Sequence, residues 1–108
     1  MVSVRSLDDY ISVRDLGLIR SYKQDFAYVF CFYITSGPEF REKAKKDKKL
    51  KQKYKFMKKS VFEGEEYGKL DSEGINKVFD NFAKKKGLEK DLENIRNTVG
   101  KMMKFRDN

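Results

Sequence analysis

Residues 26–34 read FAYVFCFYI, nine consecutive apolar or aromatic residues set between segments dominated by charge. Such a run is costly at a solvated surface, so the fold has to close around it. Ile19, Tyr22, Phe26, Val29, Phe30 and Tyr33 fall mostly three or four apart, on one helical face. Tyr28, Cys31 and Phe32 lie on the other faces, so the second half of a helix over residues 16–35 is apolar all round and belongs at the centre. The competing reading makes residues 26–35 a strand buried on both faces, which their aromatic and β-branched content favours. That strand has few candidate neighbours, Val2 to Val4 and Tyr54 to Met57, and a helix is the better expectation.

The flanking segments carry helical patterns of their own. Upstream, Ser6 with Asp9 and Ser12 with Asp15 are two capping-box signatures, of which at least one opens a helix. Thr35-Ser36-Gly37-Pro38 separates the aromatic segment from a lysine-rich one, Gly closing one helix and Pro opening the next. Residues 38–62 predict one long helix, with Glu39 and Glu42 in the first turns and Phe40, Ala44, Leu50, Tyr54, Met57 and Val61 gathered on the core side. Glu63-Gly64-Glu65-Glu66-Tyr67-Gly68 predicts a loop. Capped by Asp71 or Ser72, a short helix comes next with Ile75, Val78, Phe79 and Phe82 inward, closed by Lys84-Lys85-Lys86-Gly87. A last helix begins at Leu88 and turns Leu92, Ile95, Val99, Met102 and Phe105 to the core. The expected fold is therefore all-α, a single domain over residues 1–108 with four or five helices around a central aromatic-rich one, the alternative being α+β with residues 26–35 as a buried strand.

Charge changes the picture at one place only. Residues 36–62 hold eleven Lys or Arg against three acids, a surplus of +8 that equals the net charge of the whole chain. The rest of the protein is electrically balanced and carries one basic rod. Phosphate backbones select such a rod through counterion release, without reading sequence. A solvated, lysine-rich face is the plain alternative. Turned at about 100° per residue, Phe56 leaves the core side and lands among Lys45, Lys49, Lys53 and Ser60, where an aromatic ring can stack on a base or wedge into a partner.

Other chemistry is sparse. With no histidine, Ser-His-Asp, Cys-His and most zinc-hydrolase schemes are excluded. Cys31 lies inside the aromatic run and reads as a small core residue. The glycines match no phosphate-binding loop, so no cofactor is expected. Glu63, Glu65, Glu66 and Asp71 could gather a hard cation, yet their spacing is not that of an EF-hand, and local balance of the lysines is the simpler reading. Nine apolar residues fall far short of the roughly 20 that span a bilayer. The N-terminus has no signal-peptide pattern, and a lone cysteine suits a reducing, intracellular setting.

The expectation is a non-enzymatic DNA- or RNA-binding protein. Its contact residues are Arg41, Lys45, Lys46, Lys48, Lys49, Lys53, Lys55, Phe56 and Lys59, with no catalytic and no metal-binding residue. The alternative is a small adaptor or inhibitor that docks the same helix on an acidic protein surface, steered by charge and anchored by Phe56.

Overall fold

The computed structural model describes residues 4–84 and 89–106, with side chains for 4–84 and 92–101. The described residues form six α-helices: α1 (Leu7–Asp15), α2 (Tyr22–Thr35), α3 (Gly37–Ala44), α4 (Lys48–Phe56), α5 (Ser72–Ala83) and α6 (Glu89–Arg106). Among the described residues there is no strand, so the all-α bundle holds and the alternative of a strand over residues 26–35 does not.

Local chemistry explains most boundaries. Ser6 caps α1, its Oγ accepting from the Asp9 amide at 3.2 Å, whereas Ser12 lies inside the helix and caps nothing. The helix ends in a Schellman arrangement: Gly17, at φ 71°, donates to the Arg14 carbonyl and Leu18 donates to Val13. This stop moves the start of the central helix from the expected residue 16 to Tyr22, behind an N-cap at Ser21. Asp71 caps α5 by accepting from the Gly74 amide at 2.8 Å.

The single helix expected over residues 38–62 is broken at residues 45–47. Asp47 takes an extended conformation, and its carboxylate accepts from the Leu50 amide at 3.1 Å, so it begins α4 instead of continuing α3. Past Phe56 the chain widens into a π-helical turn, Met57–Val61, in which the Phe62 amide donates to the Met57 carbonyl. The wider turn lets Met57, Val61 and the adjoining Phe62 all point inward.

The core is aromatic and centred on α2, whose Ala27 and Val29 through Thr35 are all buried. Phe30 meets Phe62 and Phe82 at ring-centroid distances of 5.0 and 5.2 Å, and Tyr33 stacks on Phe62 at 4.5 Å. Phe40 and Tyr54 join α3 to α4 edge to face. Helix α6 packs along α2 and α5, with Ile95 and Val99 buried, while Ile75, Val78, Phe79 and Phe82 of α5 all face inward as their spacing predicts. The expected lysine closure of α5 beyond Lys84, the helix start at Leu88, and the core roles of Met102 and Phe105 lie outside the described residues and side chains.

Candidate nucleic-acid interface

Burial of Leu50, Tyr54 and Met57 fixes which side of α4 faces out. At about 100° per residue, Lys48, Gln52 and Lys55 succeed one another along the outward stripe, with Lys51 on one flank and Lys49 and Phe56 on the other. All six are exposed, as are Lys46 before the helix and Lys59 in the π-helical turn.

The basic residues of the segment 36–62, together with Arg14 beside them, fall into two groups. In the first, each cation is held by an acid of the protein. Arg14 reaches Asp47 at 2.8 Å and Asp15 at 2.9 Å, Lys43 pairs with Asp8, and Lys58 meets Glu66 at 2.6 Å. Arg41 donates to the Tyr54 hydroxyl at 3.0 Å and to the Tyr67 carbonyl at 3.2 Å, with Glu66 at 3.9 Å. Lys53 sits 3.0 Å from both oxygens of Asp25 and 2.6 Å from the Tyr10 hydroxyl. Lys45 makes an exposed pair with Glu42 at 3.1 Å. The second group is Lys46, Lys48, Lys49, Lys51, Lys55 and Lys59, which enter no ion pair among the described residues. Of the residues expected to touch a partner, Arg41 and Lys53 are thus part of the protein's own stitching. Lys46, Lys48, Lys49, Lys55, Lys59 and Phe56 present themselves outward, joined by Lys51, which the sequence pattern alone does not single out.

Beside the lysines lies a groove of about 330 Å³ between the start of α2 and α4, lined by Tyr22, Asp25, Phe26, Val29, Gln52, Lys53, Phe56 and Met57. Phe56 is 55% exposed and Tyr22 is 95% exposed. The pattern of threes and fours assigns Tyr22 to the core face, and the structure corrects this: α2 begins at Tyr22, and its first turn projects past the core. A second cleft of about 370 Å³, lined by Arg14, Ile19, Arg20, Ser21, Tyr22, Asp25 and Lys53, shares three of those residues.

The shared wall is a closed polar network. The Tyr10 hydroxyl donates to Asp25 at 2.6 Å and accepts from Lys53, whose ammonium also lies 5.2 Å from the Tyr10 ring centroid. Burial, and then the bond to Asp25, push the Tyr10 phenol well above its usual range, so it stays protonated and keeps donating. Asp25 is neutralised in place and does not repel an anion at the groove as a free carboxylate would.

The acidic loop is similarly absorbed. The Tyr33 hydroxyl donates to the Glu65 carbonyl, the Tyr67 ring packs against Tyr33 and Phe62, and Lys58 holds the Glu66 carboxyl below its ordinary value. Among the described residues no group of three or more His, Cys, Asp or Glu is placed to hold a metal ion. No described helix is long and apolar enough to cross a membrane. No family model, no curated protein and no solved structure matches this chain.

Proposed function

We propose that this protein is a non-enzymatic nucleic-acid-binding protein that lays the outward face of α4 along phosphates. The observation that supports it is the division among the bases. Where a cation faces the body of the protein it has an acid partner, whereas the six lysines at 46, 48, 49, 51, 55 and 59 have none among the described residues. Their field is therefore uncompensated in the free protein, and a polyanion supplies the missing charge while releasing its own condensed counterions.

The test is fluorescence anisotropy of a labelled mixed-sequence DNA across a salt series, comparing the natural protein with a Lys48→Ala/Lys55→Ala/Lys59→Ala variant. Three fewer phosphate contacts on a duplex should flatten the log–log salt slope by about 2.7. No binding at low salt, or an unchanged slope, would refute the reading. A second reading, docking on an acidic protein, is favoured by the exposure of Leu16, Leu18, Tyr22 and Phe56, a set of apolar side chains suited to anchoring a protein contact. Nucleic acid that co-purifies and is displaced by salt speaks for the first reading; a protein captured by the wild type and lost from Phe56→Ala speaks for the second.

A further inference from the structure

We infer that the groove between α2 and α4 holds an unpaired base, so that the preferred ligand is a single strand and not a duplex. The inference rests on the phosphate-binding reading and deepens it. The groove offers two exposed aromatic side chains, Tyr22 and Phe56, over apolar walls from Phe26, Val29 and Met57. Base faces stack on such rings whatever the sequence, and a duplex keeps those faces buried in its own stack.

Its position relative to the lysines fits a strand. A base hangs from the backbone by its sugar, so a base slot has to lie beside the phosphate track and not beneath it. Going round α4 from Lys48, Gln52 lies at about 40°, Phe56 at about 80° and Lys49 at about 100°. The lysine stripe, the Gln52 amide and the aromatic ring thus come in the order phosphate, polar edge, base face. The Gln52 side chain is exposed, lines the groove, and takes no part in the hydrogen bonds among the described residues. An amide can donate and accept at once, which suits the polar edge of a base. Charge complementarity makes the occupant a nucleotide strand. The exposed Lys49 precedes Gln52 by about one turn of α4 and Arg20 lines the adjoining cleft, while Asp25, the one carboxylate among the described residues lining either cleft, is already bound by Lys53 and Tyr10. At about 330 Å³ the groove is at the small end of the range for bound small molecules, room for one ring system.

The experiment uses three labelled ligands of equal length: a mixed-sequence single strand, the matching duplex, and a strand of abasic sites. Wild type should bind the base-bearing single strand most tightly. Tyr22→Ala and Phe56→Ala should each weaken that strand by roughly five- to hundredfold while leaving the abasic strand and the salt slope as in wild type. Tyr22→Phe and Phe56→Tyr should restore binding, and circular dichroism should be unchanged because both residues are exposed. If the alanine variants hold the base-bearing strand as wild type does, or lose the abasic strand equally, the base slot is overturned and the phosphate track survives. If wild type binds none of the three at low salt, both readings are overturned together.

Discussion

Gly37 opens α3 where the loop over residues 63–70 crosses it, and replacing it by alanine tests that crossing. A Cβ built there lies 2.0 Å from the Tyr67 carbonyl oxygen and 3.0 Å from its carbon, and both are backbone atoms that no rotamer change can move aside. The loop has to retreat by about 1 Å, which is overpacking of the kind that costs roughly 2 kcal/mol. The retreat also lengthens the 3.2 Å bond from Arg41 to the Tyr67 carbonyl, worth about 1 kcal/mol at this half-exposed site. Against this, alanine lowers the entropy of the unfolded chain, a gain of about 0.5 kcal/mol. Gly37→Ala is therefore expected to destabilise by about 2.5 kcal/mol, or roughly 10 °C in Tm. Gly100, inside α6, has no atom of the described residues beyond its own helix backbone within 4 Å of its would-be Cβ, so Gly100→Ala should instead stabilise by about 0.5 to 1 kcal/mol. Thermal and urea unfolding monitored by circular dichroism read both. If Gly37→Ala is as stable as wild type, or shifts upward with Gly100→Ala, the packing of the loop on α3 is wrong.

The charge arrangement yields two more expected outcomes. The bond from Arg14 holds the Asp47 carboxyl below its ordinary 3.8, so its contribution to stability is complete above that value and is lost as pH falls through the lower folded value. Asp47→Asn, which keeps an N-cap, should make the acid limb of the urea midpoint against pH shallower; identical limbs would contradict the pairing. The lysine triple variant should be more stable than wild type by a few degrees at low salt, because like charges three and four apart on α4 are removed, and the difference should shrink at high salt. A lower Tm in that variant would mean that those lysines support the fold.

How far the fold is legible in the sequence depends on whether the signal is local. Ile75, Val78, Phe79 and Phe82 announce α5 because four residues in one period suffice to define a face, and all four are buried. The all-round apolar character of α2 likewise marks it as central. Two boundaries that the apolar periodicity misplaces also have local signals. Ser21 with Gln24 is itself a capping-box pair, and the Ser21 Oγ accepts from the Gln24 amide at 3.4 Å. Between Ala44 and Leu50 the apolar spacing widens to six, and Asp47 sits in that gap as a cap. The sorting of the bases has little local signal beyond the i,i+3 pair of Lys45 with Glu42 and the contact of Arg14 with Asp15. Arg14 finds Asp47 across 33 residues, Lys53 finds Asp25 across 28, and Lys43 finds Asp8 across 35, so which bases are consumed depends on the packing of α1, α2, α3 and α4. Tyr22 shows the same limit: its spacing from Phe26 assigns it to the core, while its place in the first turn of α2 puts it in water.

The two groups of bases therefore have separable consequences. Arg14 on Asp47 and Lys53 on Asp25 join helices at the edge of the core, and removing either base takes the ionic partner from a partly buried carboxylate, which registers as lost stability, whereas Lys43 pairs with the exposed Asp8 and contributes less. The outward lysines of α4 touch no acid among the described residues, and the inward positions of that helix belong to Leu50, Tyr54 and Met57, so packing does not depend on them. In the acidic loop, Glu66 is taken up by Lys58 and Arg41, past the π-helical turn. A helix face that repels itself and contributes no packing leaves its charge to water, salt ions or an outside polyanion. On the proposed reading a phosphate backbone would meet the lysines along the stripe, and the aromatic groove beside it would give a single strand a contact that a duplex cannot make.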